Sequence, residues 1–173
     1  RFALPFLAAN LLQSLYGAVD LYAVGAFTGS AAVSAVSIGA QVMMTVTGLV
    51  QGLATGGTVL IGHRIGEERP ELAGRAVGSL TVLLAILAAV LTPVMLLCAR
   101  PILSVMDTPP EAVAEATRYL LICAAGIPFI TGYNAVAAVF RGSGDSRTPV
   151  YFIALACAVN VAGDFLLTGA LGW

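Results

Sequence analysis

The sequence contains no lysine, and its eight positive charges are all arginines. Charged residues are only 10% of the 173 positions, against about 25% in soluble domains. The formal net charge of −1 leaves no basic footprint for a nucleic-acid partner. Cysteine is scarce: Cys98, Cys123 and Cys157 lie far apart in apolar surroundings, with no CxxC or similar metal-ligand spacing, and read as small hydrophobes. The single histidine, His63, ends an apolar run beside Arg64 and reads as a solvated interfacial residue. No nucleophile–base pair, phosphate-cradling loop or metal cluster occurs. The sequence therefore gives no sign of an enzyme and implies no cofactor.

What is present in quantity is apolar residue, 59% of the chain. A spanning helix needs roughly 20 apolar residues. The stretches 76–99 and 119–140 carry no charge, and each is long enough for one span. The run 2–62 would reach roughly 90 Å as one helix, about three times the hydrocarbon core, so it must fold back. The break is "GAFTGSAA", where Gly25, Gly29 and Ser30 interrupt the pattern. With a further run at 148–169, the expectation is an all-α polytopic membrane helix bundle of five transmembrane spans: 3–26, 32–62, 74–99, 114–140 and 148–170. Open sheets cannot cross a bilayer, and these segments are too long and evenly apolar for barrel strands. The first run far exceeds the apolar core of a signal peptide. The chain begins with Arg rather than Met, the expectation for an excised fragment.

Arginines set the orientation. Arg1, Arg64, Arg69, Arg75, Arg141 and Arg147 fall on one side, Arg100 and Arg118 on the other. This excess places the N-terminus in the cytoplasm and Trp173 at the outer interface. "TPPEAVAEATR" reads as a helix start, and the mixed-sign "HRIGEERPELAGR" as a solvated cytoplasmic loop. Gly48, Gly52 and Gly56 form a small-xxx-small ridge suited to close helix packing. Pro93 and Pro128 lie inside spans and should kink them, as fixed bends or as hinges. Pro5, one turn into the first span, is locally a helix-start proline.

Two aspartates stand out. Asp20 is the only charge between Phe2 and Gly62, and Asp164 the only one from Thr148 to Trp173. At about 1.5 Å per residue, each sits roughly 24–27 Å from the cytoplasmic edge, in the outer half of the membrane. Tyr119, entering on the inward-running fourth span, comes in near that level. Gln13, Tyr16 and Asp20 share one helix face, as do Asn160 and Asp164. A charged Asp at a helix centre costs roughly 2.5–3.5 kcal/mol on insertion scales. Burial and a neighbouring carboxylate both raise a carboxyl pKa, so such a pair can hold a proton near neutral pH or share a small cation. The alternative is a neutral Asp acting as interhelical glue, or one snorkelling to the interface.

The motifs also have a family likeness. "LPFLAANLLQSLYGAVDLYAVGAF", "GLATGGTVLIGHRIGEERPELAGRA", "FRGSGDSRTPV" and "NVAGDFLLTGALG" occur in this order and spread over nearly the whole chain. Together they resemble the first half of a multidrug and toxic compound extrusion (MATE) transporter. The resemblance implies five helices of a six-helix N-terminal lobe, with the sixth helix and a C-terminal lobe of the same polypeptide missing here. It implies a multi-pass plasma-membrane antiporter that exports small organic, often cationic, compounds in exchange for H+ or Na+. Carried over by position, the coupling-ion site falls on Asp20, Asp164, Asn160, Tyr16 and Tyr119, with Na+ held at Asp20, Asn160 and Asp164. Gln13 and Asn134 would line the same cavity, and Pro5 would be the hinge of the first helix. Two alternatives remain: a lipid-linked saccharide flippase of the same superfamily, against which stands the lack of arginines in the interior of spans, Arg75 and Arg118 lying at span ends, and a small structural or accessory membrane subunit.

Overall fold

The computed structural model describes residues 30–164 without a break, and residues 7, 11, 14, 15, 17–19, 22, 25 and 166 individually. Four helices fill the continuous part: α1 (Ser30–Gly66), α2 (Pro70–Val105), α3 (Val113–Gly142) and α4 (Thr148–Asp164). They correspond to the second to fifth expected spans. The first span, apart from the single residues just named, lies outside the described residues. So does the end of the fifth beyond Asp164, again except for residue 166. Helices α1, α2 and α3 are each long and apolar enough to cross a membrane. Helix α4 is apolar and described over 17 residues.

Each of the three long helices outruns the apolar stretch that announced it. α1 has 37 residues, about 55 Å at 1.5 Å per residue, whereas the bilayer with its headgroups is roughly 40–45 Å thick. Hydropathy marks only the hydrocarbon, while the hydrogen-bonded helix continues into the headgroup region. α1 thus ends in His63 and Arg64, two basic residues in a last turn where cations meet the negative end of the helix dipole. Both face Glu67, His63 Nδ1 at 3.3 Å and Arg64 NH1 at 2.9 Å. α2 begins with Pro70 in its first turn, where a missing N–H costs nothing, and runs on through Pro93 and Pro101. The stretch "TPPEAVAEATR" is a helix start, as expected, though its threonine is not the cap. α3 starts at Val113 with no side-chain cap, and Thr108 serves the preceding helix instead, its hydroxyl donating to the Leu103 carbonyl at 2.8 Å.

The α1–α2 and α3–α4 turns lie at one end of the bundle, since Gly62 of α1 meets the Gly142 carbonyl of α3 there. Arg64, Arg69, Arg75, Arg141 and Arg147 gather at this end. Arg100 and Arg118 flank the α2–α3 turn at the other.

Helices α1, α2 and α3 pack on one another, and α4 touches only α3 among the described helices. Lipid tails are as apolar as leucine, so association in the membrane depends on close packing rather than on hydrophobic transfer. The core accordingly uses small residues around a few large ones. Ala35, Val42, Ala88, Met95, Leu103, Leu120 and Ile127 build one cluster, and Val50, Ala54, Ile61, Leu80, Leu84 and Ala138 the other. The close approaches fall on glycines other than the ridge. A Cβ at Gly57 would collide with Leu80, and one at Gly39 with the ring of Tyr119. Gly48, Gly52 and Gly56, where close packing was expected, are exposed and have open space around them in the described structure. Gly57 is next in sequence to Gly56, but about 100° round the helix and on the face that meets α2.

Candidate functional site

The turn before α4 shows how the sequence sets the carboxyl-bearing helix in place. Gly144 takes φ +88°, a left-handed conformation open to glycine, and reverses the chain after α3. Asp145 then caps α4. Its Oδ1 accepts the N–H of Arg147 at 2.9 Å and of Thr148 at 3.1 Å, and its Oδ2 accepts the Thr148 hydroxyl at 2.5 Å. These bonds satisfy donors that a helix start leaves open. The Thr148 hydroxyl, followed by the backbone N–H groups, holds the Asp145 carboxyl below the usual carboxylate range. Pro149 follows in the first helical turn. The "RGSGDSRTP" motif is therefore a reversal and a cap, and it aims α4 into the membrane.

On α4, Asn160 lies twelve residues and Asp164 sixteen residues beyond Thr148, about 18 and 24 Å along the axis. Asn160 is half-buried, and its Oδ1 is buried with no hydrogen-bond partner. A buried acceptor left open in a membrane span is costly. It is also the hard oxygen that a Na+ ion or the proton of a carboxylic acid would use. The amide therefore fits a coupling-ion site. Asp164 closes α4 one turn further on; its side chain, and all of Asp20, Tyr16, Gln13 and Pro5, lie outside the described residues.

Tyr119 and Asn134 sit on α3. The ring of Tyr119 packs over Gly39 of α1, which has no side chain to obstruct it. By helix count Tyr119 is 23 residues from Gly142, about 35 Å from the arginine-rich end, so it stands nearer the opposite surface than Asp164 does. Asn134 is half-buried, and its amide Nδ2 donates to the Ile130 carbonyl at 2.9 Å on its own helix.

Two polar groups were missed in the sequence reading. Tyr133, beside Asn134, has a hydroxyl that is buried and unpartnered, and so does Thr92. The signal for the first was "TGYN", three polar side chains in four residues of a span. Thr92 lies in an open groove of about 570 Å³ between α2 and α3, lined also by Ala85, Ala88, Pro93, Pro128 and Gly132. Pro93 and Pro128 have no N–H, so each leaves the carbonyl four residues earlier without its helical donor. Those carbonyls belong to Ala89 and Ala124.

Known proteins match this chain throughout its length. The family model MatE matches residues 5–166. The probable multidrug resistance protein YoeA of Bacillus subtilis is 31% identical over 161 residues, covering 93% of this chain and 35% of that protein. The probable multidrug resistance protein NorM of Thermotoga maritima is 27% identical, covering 100% of this chain and 37% of that protein. Among solved structures, a MATE in complex with MaD3S superposes with a TM-score of 0.92 at 27% identity, over 99% of this chain and 38% of that one. A MOP superfamily transporter from Pyrococcus furiosus does so with the same score and identity, over 100% of this chain and 38% of that one. The chain belongs to the MatE family, the multidrug and toxic compound extrusion transporters. It is a membrane protein of a transporter family, not of an enzyme class, and it spans little more than a third of the length of these relatives.

Proposed function

We propose that the full-length protein is a secondary antiporter of the plasma membrane that exports small organic, often cationic, compounds in exchange for H+ or Na+. This chain would be most of its N-terminal lobe, with the N-terminus in the cytoplasm. The observation that carries the reading is the family match over residues 5–166, joined to three helices able to cross a membrane. The open acceptor of Asn160, one helical turn before Asp164, supports an ion site at that depth.

In this reading Asp20, Asp164 and Asn160 hold the ion with Tyr16 as a hydroxyl-bearing neighbour, while Tyr119, expected at the same level, stands roughly 11 Å nearer the opposite surface by helix count and lies on the path to the site. Gln13 and Asn134 line the cavity. The ion enters from outside and neutralises a carboxylate whose burial is otherwise costly. Loss of that charge changes the packing of the first helix about Pro5 and closes the outward cavity, which releases the solute before closure completes. Rocking of one lobe against the other links the steps. The membrane potential adds about 2.3 kcal/mol per charge moved for each 100 mV.

The test is reconstitution of the full-length parent in vesicles with an imposed H+ or Na+ gradient. A fluorescent organic cation should move against its own gradient, driven by one ion and not the other. Movement that ignores both gradients would reject antiport.

A further inference from the structure

Pro93 of α2 and Pro128 of α3 line the same groove, so the two helices are interrupted side by side. Each proline breaks its own hydrogen-bond ladder, which opens the carbonyls of Ala89 and Ala124. The two breaks enclose one continuous stretch, residues 93–128. It runs to the end of α2, round the turn and back along α3. A bend at both prolines would therefore carry this hairpin as a body, without pulling its two arms apart.

The buried core divides at the same place. The change from one cluster to the other falls between Leu84 and Ala88 on α2, between Ile127 and Ala135 on α3, and between Met43 and Val50 on α1. Half-buried Leu91 touches both clusters. α1 has no proline there, but the Thr47 hydroxyl donates to the Met43 and Met44 carbonyls at 2.9 and 3.2 Å, and Gly48 follows. A threonine bonded back to its own helix often bends it. By helix count Gly48 and Pro128 each stand about 21 Å from the level where Gly62 meets Gly142, so the soft points of α1 and α3 match in depth.

A static kink needs one proline. It needs neither two helices broken side by side nor a core divided between them. The groove also leaves room for movement: its volume is about 570 Å³, and Ala85, Ala88, Ala89, Gly132 and Ala135 give it low walls. At the break, the Thr92 hydroxyl is buried with no partner among the described residues. Three residues back stands the Ala89 carbonyl that Pro93 opens. Threonine side chains in spans can satisfy such freed carbonyls, and the i to i−3 bond needs only a turn of the Thr92 side chain.

We propose that this level is a joint within the three-helix bundle. Residues 93–128, with the start of α1 packed on them, tilt as one body against the other halves of the helices, and Thr92 bonds the Ala89 carbonyl in the tilted state. The cluster around Leu103 and Leu120 stays packed throughout, and Tyr119 on Gly39 travels with it. The part this tilt plays in closing the outward cavity rests on the exporter reading above; the joint itself does not.

The experiment measures distances between paired spin labels by double electron–electron resonance, in the full-length parent freed of native cysteines and held in lipid nanodiscs. Val105→Cys lies on the moving body. Val159→Cys lies on α4, which follows α3 beyond the joint, and Val82→Cys on the stationary half of α2; all three positions are exposed. Samples are compared at acid and neutral pH, with and without Na+. The Val105–Val159 pair should show two distances whose populations shift several-fold among these conditions, while Val82–Val159 keeps one. Pro93→Ala with Pro128→Ala, which restores both ladders, should leave a single Val105–Val159 distance. Thr92→Val, which keeps the shape and loses the hydroxyl, should lower several-fold the population that the double variant lacks. A single unchanging Val105–Val159 distance in the parent would overturn the proposal. So would an equal shift of Val82–Val159, because α4 would then be the moving part, and so would two distances persisting in the double variant. An unchanged population in Thr92→Val would overturn the role of its hydroxyl. A parent with both distances that builds no organic-cation gradient would reject the exporter reading and leave the joint standing.

Discussion

A methyl group added at Gly142 would stand 2.9 Å from Ile61 Cβ and 3.0 Å from the Thr58 carbonyl oxygen. Nearby, the Thr58 hydroxyl reaches the Ala138 carbonyl across the same α1–α3 contact at 3.3 Å. The obstacles are the branch point of Ile61, fixed to its backbone, and the Thr58 carbonyl, and neither can swing aside as the far end of a flexible side chain would. Gly142→Ala should therefore destabilise the full-length protein by about 1–3 kcal/mol, the usual cost of overpacking. Gly78→Ala, in open space within α2, should be neutral or stabilise by up to about 1 kcal/mol. Thermal unfolding of the two purified variants in detergent checks the contrast. Asp145 supplies a second prediction. Its folded pKa lies below the ordinary value of 3.8, so the cap contributes fully above that value and is lost as pH falls through the lowered one. Asp145→Ala should destabilise at neutral pH and flatten the acid limb of the stability profile. Asp145→Asn, which keeps one acceptor oxygen, should lose less.

At the scale of the helix, hydropathy located α1 to α4 because lipid tolerates only backbone that bonds within its own segment. It could not find their ends, since His63, Arg64 and the Pro101 turn lie where the hydrocarbon has already stopped. Nor could it tell Gly57 from Gly56: which glycine packs depends on the angle of a neighbouring helix, and only the assembled bundle fixes that. Part of the site was legible in the same way. The i, i+4 pair Asn160 and Asp164 shares a helix face by spacing alone, whereas the depth of Tyr119 depends on where α3 begins. The distribution of arginines gives a third prediction. Cysteines at Glu68 and Ser143, in the arginine-rich turns, should label only from the cytoplasm, and one at Thr108 only from outside. Outside labelling at Glu68 would reverse the orientation of every helix.

For the whole molecule, α1, α2 and α3 form a mutually packed frame, and α4 carries Asn160 and Asp164 beside it on a capped turn. The central proposal is that the carboxyl groups of Asp20 and Asp164 convert an ion gradient into movement of the lobes. Asp20→Asn in the full-length parent tests it most directly. Asparagine keeps the size and a hydrogen-bonding role but cannot change charge, so it resembles a carboxyl that is always protonated. Insertion should be unharmed, because loss of a carboxylate from an apolar span lowers the membrane cost. Asp164→Asn should show the same defect or a milder one, with Asp20 still able to titrate. The measurement is ion-driven efflux of an organic cation from vesicles containing parent or variant at matched amounts. The account predicts normal insertion with efflux reduced to background for Asp20→Asn; efflux at the parental rate under the same gradient would contradict it.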